Sequence, residues 1–259
     1  MMPGAVIIGA GPGIGQSVAR RFAREGLPIT LVARSEKTLT AAAEALSATG
    51  VLIRPLVADS TDERALRTAL DTTIEEFGLP DVVVYNAAII QADSLGELSV
   101  SAHLDAWAVN VVGAINAAAR VVPAMAERGS GTFLITGGMP EPKPQYLSLS
   151  LGKAGVRSLV ALLDQQYGAS GVHVATVTVG GPVAPGTDFD PDVIAEHYWR
   201  LHTQPQHEWE REVLHSGRTD GTKMSESRIS PSRMCGSSTR ATSPTGSSSP
   251  ADPTCRSDW

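Results

Sequence analysis

The chain has 259 residues, 42% of them apolar and 19% charged, so it can bury roughly three quarters of the surface it exposes when unfolded. Disorder throughout is excluded. Its formal charge of −6 and pI near 5.5 give no broad cationic field for nucleic acid or anionic lipid. No uninterrupted apolar run reaches the roughly 18–20 residues of a membrane span, since even the stretch from Ala106 to Ala119 contains Asn110 and Asn116. There is no basic residue before Arg20, and the run Ala5-Val6-Ile7-Ile8 is too short for a signal-peptide core. Both cysteines, Cys235 and Cys255, lie in the last 25 residues, so no disulfide is needed to staple the folded part. The expectation is a soluble, cytoplasmic protein whose partner is a small molecule, with no nucleic acid and no membrane.

Short aliphatic runs alternate with longer stretches of helical spacing over residues 1–200. The runs are Ala5–Gly9, Ile29–Ala33, Leu52–Ala58, Val82–Asn86, Thr132–Thr136 and Val172–Val179. Between them lie Ile14–Glu25, Glu36–Ala48, Asp62–Phe77, Ala102–Glu127 and Ser148–Tyr167, rich in Ala, Leu, Arg and Glu. Strand and helix in such alternation predict a parallel sheet with helices on both faces, and near-continuous aliphatic strands agree because both their faces are covered. The predicted fold is a doubly wound, Rossmann-like α/β domain over residues 1–215. From Ser216 to Trp259, 26 of 44 residues are Ser, Thr, Gly or Pro. That composition cannot bury enough to offset its ordering entropy, so residues 216–259 read as a disordered tail.

The first strand runs into Gly9-Ala10-Gly11-Pro12-Gly13-Ile14-Gly15 and then a helix. Glycines there permit positive φ and let backbone N–H groups approach a pyrophosphate, whose charge is favoured at a helix amino terminus. A Gly-rich turn is a weak signal alone; its place between a strand and a helix strengthens it. The second strand ends in Val32-Ala33-Arg34-Ser35, with no carboxylate for a ribose 2′-hydroxyl. A guanidinium can take a 2′-phosphate bidentately and Ser35 can add a hydroxyl, which favours NADP(H). The alternative for Arg34 is a solvated charge that pairs with Glu36.

These residues resemble the short-chain dehydrogenase/reductase superfamily over about residues 4–185. Gly9-x-x-x-Gly13-Ile14-Gly15 is similar to its cofactor turn, Asp59 to its aspartate near adenine, and Asn86-Ala87-Ala88 to its Asn-Ala-Gly segment. Asn110, in Val109-Asn110-Val111-Val112-Gly113, resembles the asparagine of its proton relay. The resemblance implies a nicotinamide cofactor. Asp59 has the alternative of capping the next helix, and Asn110 that of bonding within a helix pair.

The superfamily's principal branch uses a Ser and a Tyr-x-x-x-Lys pair. Here Lys153 is preceded at four residues by Leu149, and Gly138 of Thr136-Gly137-Gly138 stands at the serine position. Tyr146 to Lys153 has instead the Tyr-x6-Lys spacing of the divergent enoyl-thioester reductase branch, although Leu147 and Leu149 depart from that branch's pattern. Seven residues are about two helical turns, so a tyrosine just before the helix has reach toward the lysine. On this resemblance Lys153 binds the nicotinamide ribose and supplies positive charge, and Tyr146 bonds the substrate oxygen, with Thr136 and Ser150 as assisting hydroxyls. The alternative for Tyr146 is an aromatic plug in a loop containing Pro140, Pro142 and Pro144; for Lys153 it is a surface lysine.

After the sixth strand, Val179-Gly180-Gly181-Pro182-Val183 occupies the place of the family's Pro-Gly segment, so Gly180 and Val183 join the cofactor candidates. His197, Tyr198, Trp199, His202 and Trp209 either line a pocket or pack on the sheet edge. No seventh strand is expected, because the Ser-rich tail begins where it would lie; a homo-oligomer built on it is correspondingly in question. The histidines lack zinc spacing and no Gly-x-Ser-x-Gly elbow occurs. The predicted activity is NADP(H)-dependent hydride transfer to a small carbonyl or a conjugated enone or enoyl substrate. The competing expectation is a nucleotide-binding protein that has lost catalysis and acts as a sensor or subunit partner.

Overall fold

The computed structural model describes residues 3–217. Residues 218–259, with Cys235 and Cys255, lie outside the described residues, and so does the expectation of disorder made for them.

The elements run β1 (Ala5–Ile8), α1 (Ile14–Arg24), β2 (Ile29–Ala33), α2 (Glu36–Leu46), β3 (Ile53–Val57), α3 (Glu63–Phe77) and β4 (Val82–Tyr85). They continue with α4 (Val100–Trp107), α5 (Gly113–Arg128), β5 (Gly131–Thr136), α6 (Leu147–Tyr167), β6 (Val172–Val179), α7 (Pro191–Thr203) and β7 (Glu212–His215). All seven strands pair in parallel in the order β3-β2-β1-β4-β5-β6-β7. The order reverses direction beside β1, which opens a crevice at the carboxyl ends of β1 and β4, the general ligand site of doubly wound sheets.

Alternate strand residues face opposite sides of the sheet. Ile7, Leu31 and Val84 pack with Val18 and Phe22 of α1, Leu39 of α2, and Ile194 and Tyr198 of α7. Val6, Ile8 and Val83 face Leu66 and Leu70 of α3, Val121 of α5 and Val156 of α6. Helix starts follow local chemistry: the Ser35, Asp62 and Ser99 side chains accept from the third helical N–H of α2, α3 and α4, and Asp190 caps α7 ahead of Pro191.

Two expectations need correction. A seventh strand is present, Thr176 to Val179 pairing with Glu212 to His215. Its four residues are too few to carry a periodicity, and as an edge strand it buries only Val213 and His215 while exposing Glu212 and Leu214. The helix predicted over Ala102–Glu127 is instead α4, a π-helical turn at Ala108–Val112, and α5. Gly113 N donates to Ala108 O five residues back, and the Val109 carbonyl accepts from the Tyr85 hydroxyl at 2.6 Å. Gly113 is required at this crossing, since a Cβ would lie 2.1 Å from the Tyr85 oxygen. The helical stretch Val100–Arg128 is long and apolar enough in composition to cross a membrane, yet 56% of its most apolar stretch is buried inside the fold. Its apolar content serves the core.

Candidate functional site

At the carboxyl ends of β1, β2 and β4 lies a cleft of about 310 Å³, its walls including Gly9, Gly11, Arg34, Ser35, Asn86, Ala87 and Ala88. Those seven were all sequence candidates. Gly9 and Gly13 adopt φ of 90° and 98°, a region that side chains with a Cβ rarely occupy. Gly15 answers a different constraint: a Cβ there would sit 2.2 Å from the Gly9 carbonyl oxygen and 2.9 Å from Asn86 Nδ2. The turn therefore lies tight against α1, whose first turn carries no acidic side chain, and presents a helix amino terminus to an anion.

Arg34 is exposed and forms no ion pair or hydrogen bond among the described residues, so its guanidinium is available at the cleft wall. Glu36 does not pair with it. Ser35 has a second duty, since its Oγ accepts from Thr38 N at 3.4 Å as the cap of α2.

Asp59 is not on the cleft wall; Ala58 and Ser60 on either side of it are, as are Thr38 and Val109. The Asp59 carboxylate accepts from Thr61 N at 2.9 Å and Thr61 Oγ1 at 2.8 Å, closing the turn before α3, while Asp62 caps that helix. Sequence reasoning missed Ser60, Thr38 and Val109. The signal for Ser60 was its place directly after the third strand, one residue from the position chosen.

Asn110 is buried and clamps the backbone of Ile89, accepting from Ile89 N at 2.9 Å and donating to Ile89 O at 3.2 Å. It thereby fixes the loop that follows Ala88. Helix α6 comes close here, because a Cβ on Gly152 would lie 2.9 Å from the Asn110 Cβ. The next residue, Lys153, is buried rather than on the surface. Its Nζ donates to the Thr136 carbonyl at 2.7 Å. Burial, and secondarily the neighbouring Arg157 charge, lowers its pKa to about 8. Arg157, one turn on, donates to the Gly138 carbonyl at 3.0 Å, so two cations of α6 grip the chain leaving β5. Between Gly138 and Pro140, Met139 is held at φ 46°, a strained value for a residue with a side chain.

The hydroxyls around Lys153 are distributed unevenly. Thr136 Oγ1 donates to Asn86 Oδ1 at 2.8 Å and lies 2.6 Å from the Tyr198 hydroxyl; it is not among the cleft-wall residues. Its hydroxyl forms an internal link between β4, β5 and α7. Ser150 Oγ is engaged by the Lys143 backbone. Ser148 is engaged by the buried Asp93 carboxylate, which accepts from its N at 2.9 Å and its Oγ at 2.8 Å.

Of the four tyrosines, Tyr85 donates to Val109 O, Tyr198 meets Thr136, and Tyr167 accepts from Gln166. Tyr146 precedes the first residue of α6, half-buried, with its backbone bridged to Asp93. No hydrogen bond joins its hydroxyl to Lys153 or to any other group among the described residues. Leu149, at the position of the family's usual tyrosine, is buried.

Gly180 and Val183 lie beyond the lining of that cleft. Gly180 N donates to His215 O at 3.0 Å, tying the loop after β6 to β7. The aromatic group beyond that loop packs on the sheet: Tyr198 is fully buried, Trp199 meets Phe22 edge to face, and Trp209 stacks on His173.

A reversing parallel sheet with a glycine turn, a free cation after β2 and an Asn-clamped loop after β4 defines a Rossmann-type nucleotide-binding protein. The sequence profile of the short chain dehydrogenases matches residues 4–190, and the chain belongs to that family. The probable oxidoreductase EphD of Mycobacterium tuberculosis is 31% identical over 195 residues, covering 70% of this chain and 33% of that protein. The chain thus spans about a third of that relative's length. The glucose 1-dehydrogenase of Gluconobacter oxydans is 30% identical, covering 70% of this chain and 69% of its own. Among solved structures, the alcohol dehydrogenase of Thermococcus sibiricus complexed with 5-hydroxy-NADP superposes with a TM-score of 0.75 at 27% identity, covering 83% of this chain and 96% of that one.

Proposed function

We propose that the protein is an NADP(H)-dependent oxidoreductase acting on a small carbonyl or a conjugated enone or enoyl compound. The cofactor would be held by the Gly9–Gly15 turn at its pyrophosphate, by Arg34 and Ser35 at the 2′-phosphate, and by Asn86, Ala87, Ala88 and Lys153 along its length, with Gly180 and Val183 at the nicotinamide end. The cleft fits such a group because Gly11 lines it with nothing within 4 Å of where a Cβ would stand and because Arg34 faces it uncompensated among the described residues. The relative complexed with 5-hydroxy-NADP supports the choice. When bound, the nicotinamide supplies the hydride.

The protein's own contribution is to hold and deliver a proton. Tyr146 bonds the substrate oxygen and donates its proton to a carbonyl, or steadies the enolate formed from a conjugated substrate. Lys153 supplies the positive charge that favours the tyrosinate, and Asn110 keeps the Ile89 loop and α6 in register. One observation carries this assignment: every other hydroxyl near Lys153 is engaged in internal structure, and Tyr146 alone among the tyrosines has its hydroxyl unpartnered among the described residues.

A second reading is a nucleotide-binding sensor or subunit partner without turnover. It is favoured by Lys153 bonding Thr136 O rather than a phenol and by Leu149 at the usual tyrosine position. NADPH oxidation over a panel of ketones, aldehydes and enoyl thioesters separates the two. Turnover that falls in Tyr146→Phe supports the enzyme; no turnover on any substrate supports the sensor.

A cytoplasmic setting goes with this function, on the grounds of the cysteine placement. So does a homo-oligomer, supported by the exposed apolar residues Val100, Leu104, Trp107 and Leu151 on α4 and α6. Sedimentation of a monomer at micromolar concentration would contradict the latter.

A further inference from the structure

Three side chains and one carbonyl form a continuous hydrogen-bonded line beneath the cleft. Tyr198, fully buried on α7, lies 2.6 Å from Thr136 Oγ1 at the end of β5. Thr136 Oγ1 donates to Asn86 Oδ1 at 2.8 Å, after β4, and Asn86 Nδ2 donates to Gly9 O at 2.8 Å, at the start of the phosphate turn.

The line has only one consistent direction. A carbonyl accepts only, so the Asn86 amide must turn its nitrogen to Gly9 and its oxygen to Thr136. Thr136 must then donate to Asn86, which leaves its lone pair to receive the Tyr198 proton. Burial raises the Tyr198 pKa further above the ordinary phenol value, so the phenol stays a donor. Thr136 is also a junction, because its main-chain carbonyl accepts from Lys153 Nζ at 2.7 Å. The Gly9 carbonyl is the atom against which Gly15 is pressed, so a shift in Asn86 moves the whole turn.

We infer that Tyr198 and Thr136 are positioning residues for the dinucleotide site, ordering the phosphate turn through Asn86 from a helix that itself makes no contact with the cleft. The inference rests on the proposal that the cleft holds NADP(H), and it gives α7, directly after the loop of residues 180–190, a physical line to the cofactor's phosphates.

Hydrogen–deuterium exchange of the full chain without cofactor, with NADPH titration of the same samples, tests it. Tyr198→Phe removes one hydrogen bond and should speed exchange in peptides covering residues 9–16 about fivefold. Thr136→Val removes two and leaves Asn86 Oδ1 unpaired, for roughly a thirtyfold effect. Thr136→Ser keeps the hydroxyl and should match the wild type. Exchange over residues 53–77 should not change, and the NADPH Kd should rise in the same order. A purely structural contribution would lower the melting temperature without singling out residues 9–16. Wild-type exchange and affinity in both Thr136→Val and Tyr198→Phe, or Thr136→Ser behaving like Thr136→Val, overturns the relay. If Thr136→Val fails to fold, Tyr198→Phe decides the matter. Wild-type protein that does not bind NADPH overturns the cofactor proposal, and the relay's purpose with it. Tight wild-type binding with unaltered variants overturns the relay alone.

Discussion

The two halves of the site treat their polar groups in opposite ways. On the β1–β2 side, Arg34 is exposed and unpaired among the described residues and Gly11 and Gly13 have open space where a Cβ would stand, so chemistry faces outward. On the β5–α6 side, Thr136, Ser148 and Ser150 are all bonded inside the fold and Lys153 is buried on a main-chain carbonyl. The Tyr146 hydroxyl makes no hydrogen bond among the described residues. On the proposed function, nucleotide binding rests on backbone shape, which tolerates drift in side chains, whereas proton transfer would depend on one or two groups whose replacement must be compensated.

The largest effects should fall on the side with the fewest open groups. Tyr146→Phe is expected to lower turnover by about 10²–10⁴ with little change in NADPH affinity, the range for removing a general acid. Equal turnover in the variant would place the proton donor elsewhere. Gly15→Ala, which drives a methyl group into the Gly9 carbonyl, should weaken NADPH binding by about a hundredfold, because backbone cannot yield as a flexible side chain can. Isothermal titration reads it directly. Arg34→Asp should turn the preference from NADPH toward NADH by roughly tenfold to a hundredfold, through loss of a charge-assisted bond and gain of a repulsive one. An unchanged ratio of the two dissociation constants would contradict this.

A further effect, on stability and not on binding, concerns Lys153 and pH. Its folded pKa, near 8, lies below the unfolded value of about 10.5. The unfolded chain then holds more protons between those values, so the cost of burying the charge is complete below about pH 8 and is relieved as pH rises toward 10.5. Denaturant unfolding of cofactor-free protein should show wild-type stability gaining on Lys153→Met across that window, by on the order of 3 kcal/mol. A constant difference between them would mean that the ammonium is better satisfied than its single carbonyl partner suggests.

The sheet, its helices and the phosphate turn were legible because they rest on residue types repeated at fixed spacing: aliphatic runs, helical stretches, glycines at a strand end. Arg34 was legible because one side chain after the second strand decides the local charge. The sorting of hydroxyls around Lys153 was not, since Ser148 is claimed by Asp93, 55 residues earlier, and Thr136 by Tyr198, 62 residues later. Nothing local announces such partners. β7 escaped notice for the reverse reason: its four residues gain their structure from pairing with β6, and the sequence around them already thins into serine and glycine. Asp59 was legible as a residue after the third strand, whereas its bonds to Thr61 and the place of Ser60 on the cleft wall depend on how the turn closes.

A crystal structure with NADPH bound, giving the distance from the Tyr146 Oη to nicotinamide C4, tests the account most directly. The account predicts a separation of roughly 4 Å, with the phenol turned toward Lys153, close enough to reach the oxygen of a reacting substrate. A phenol pointing into solvent, with Leu149 against the ring instead, would contradict it.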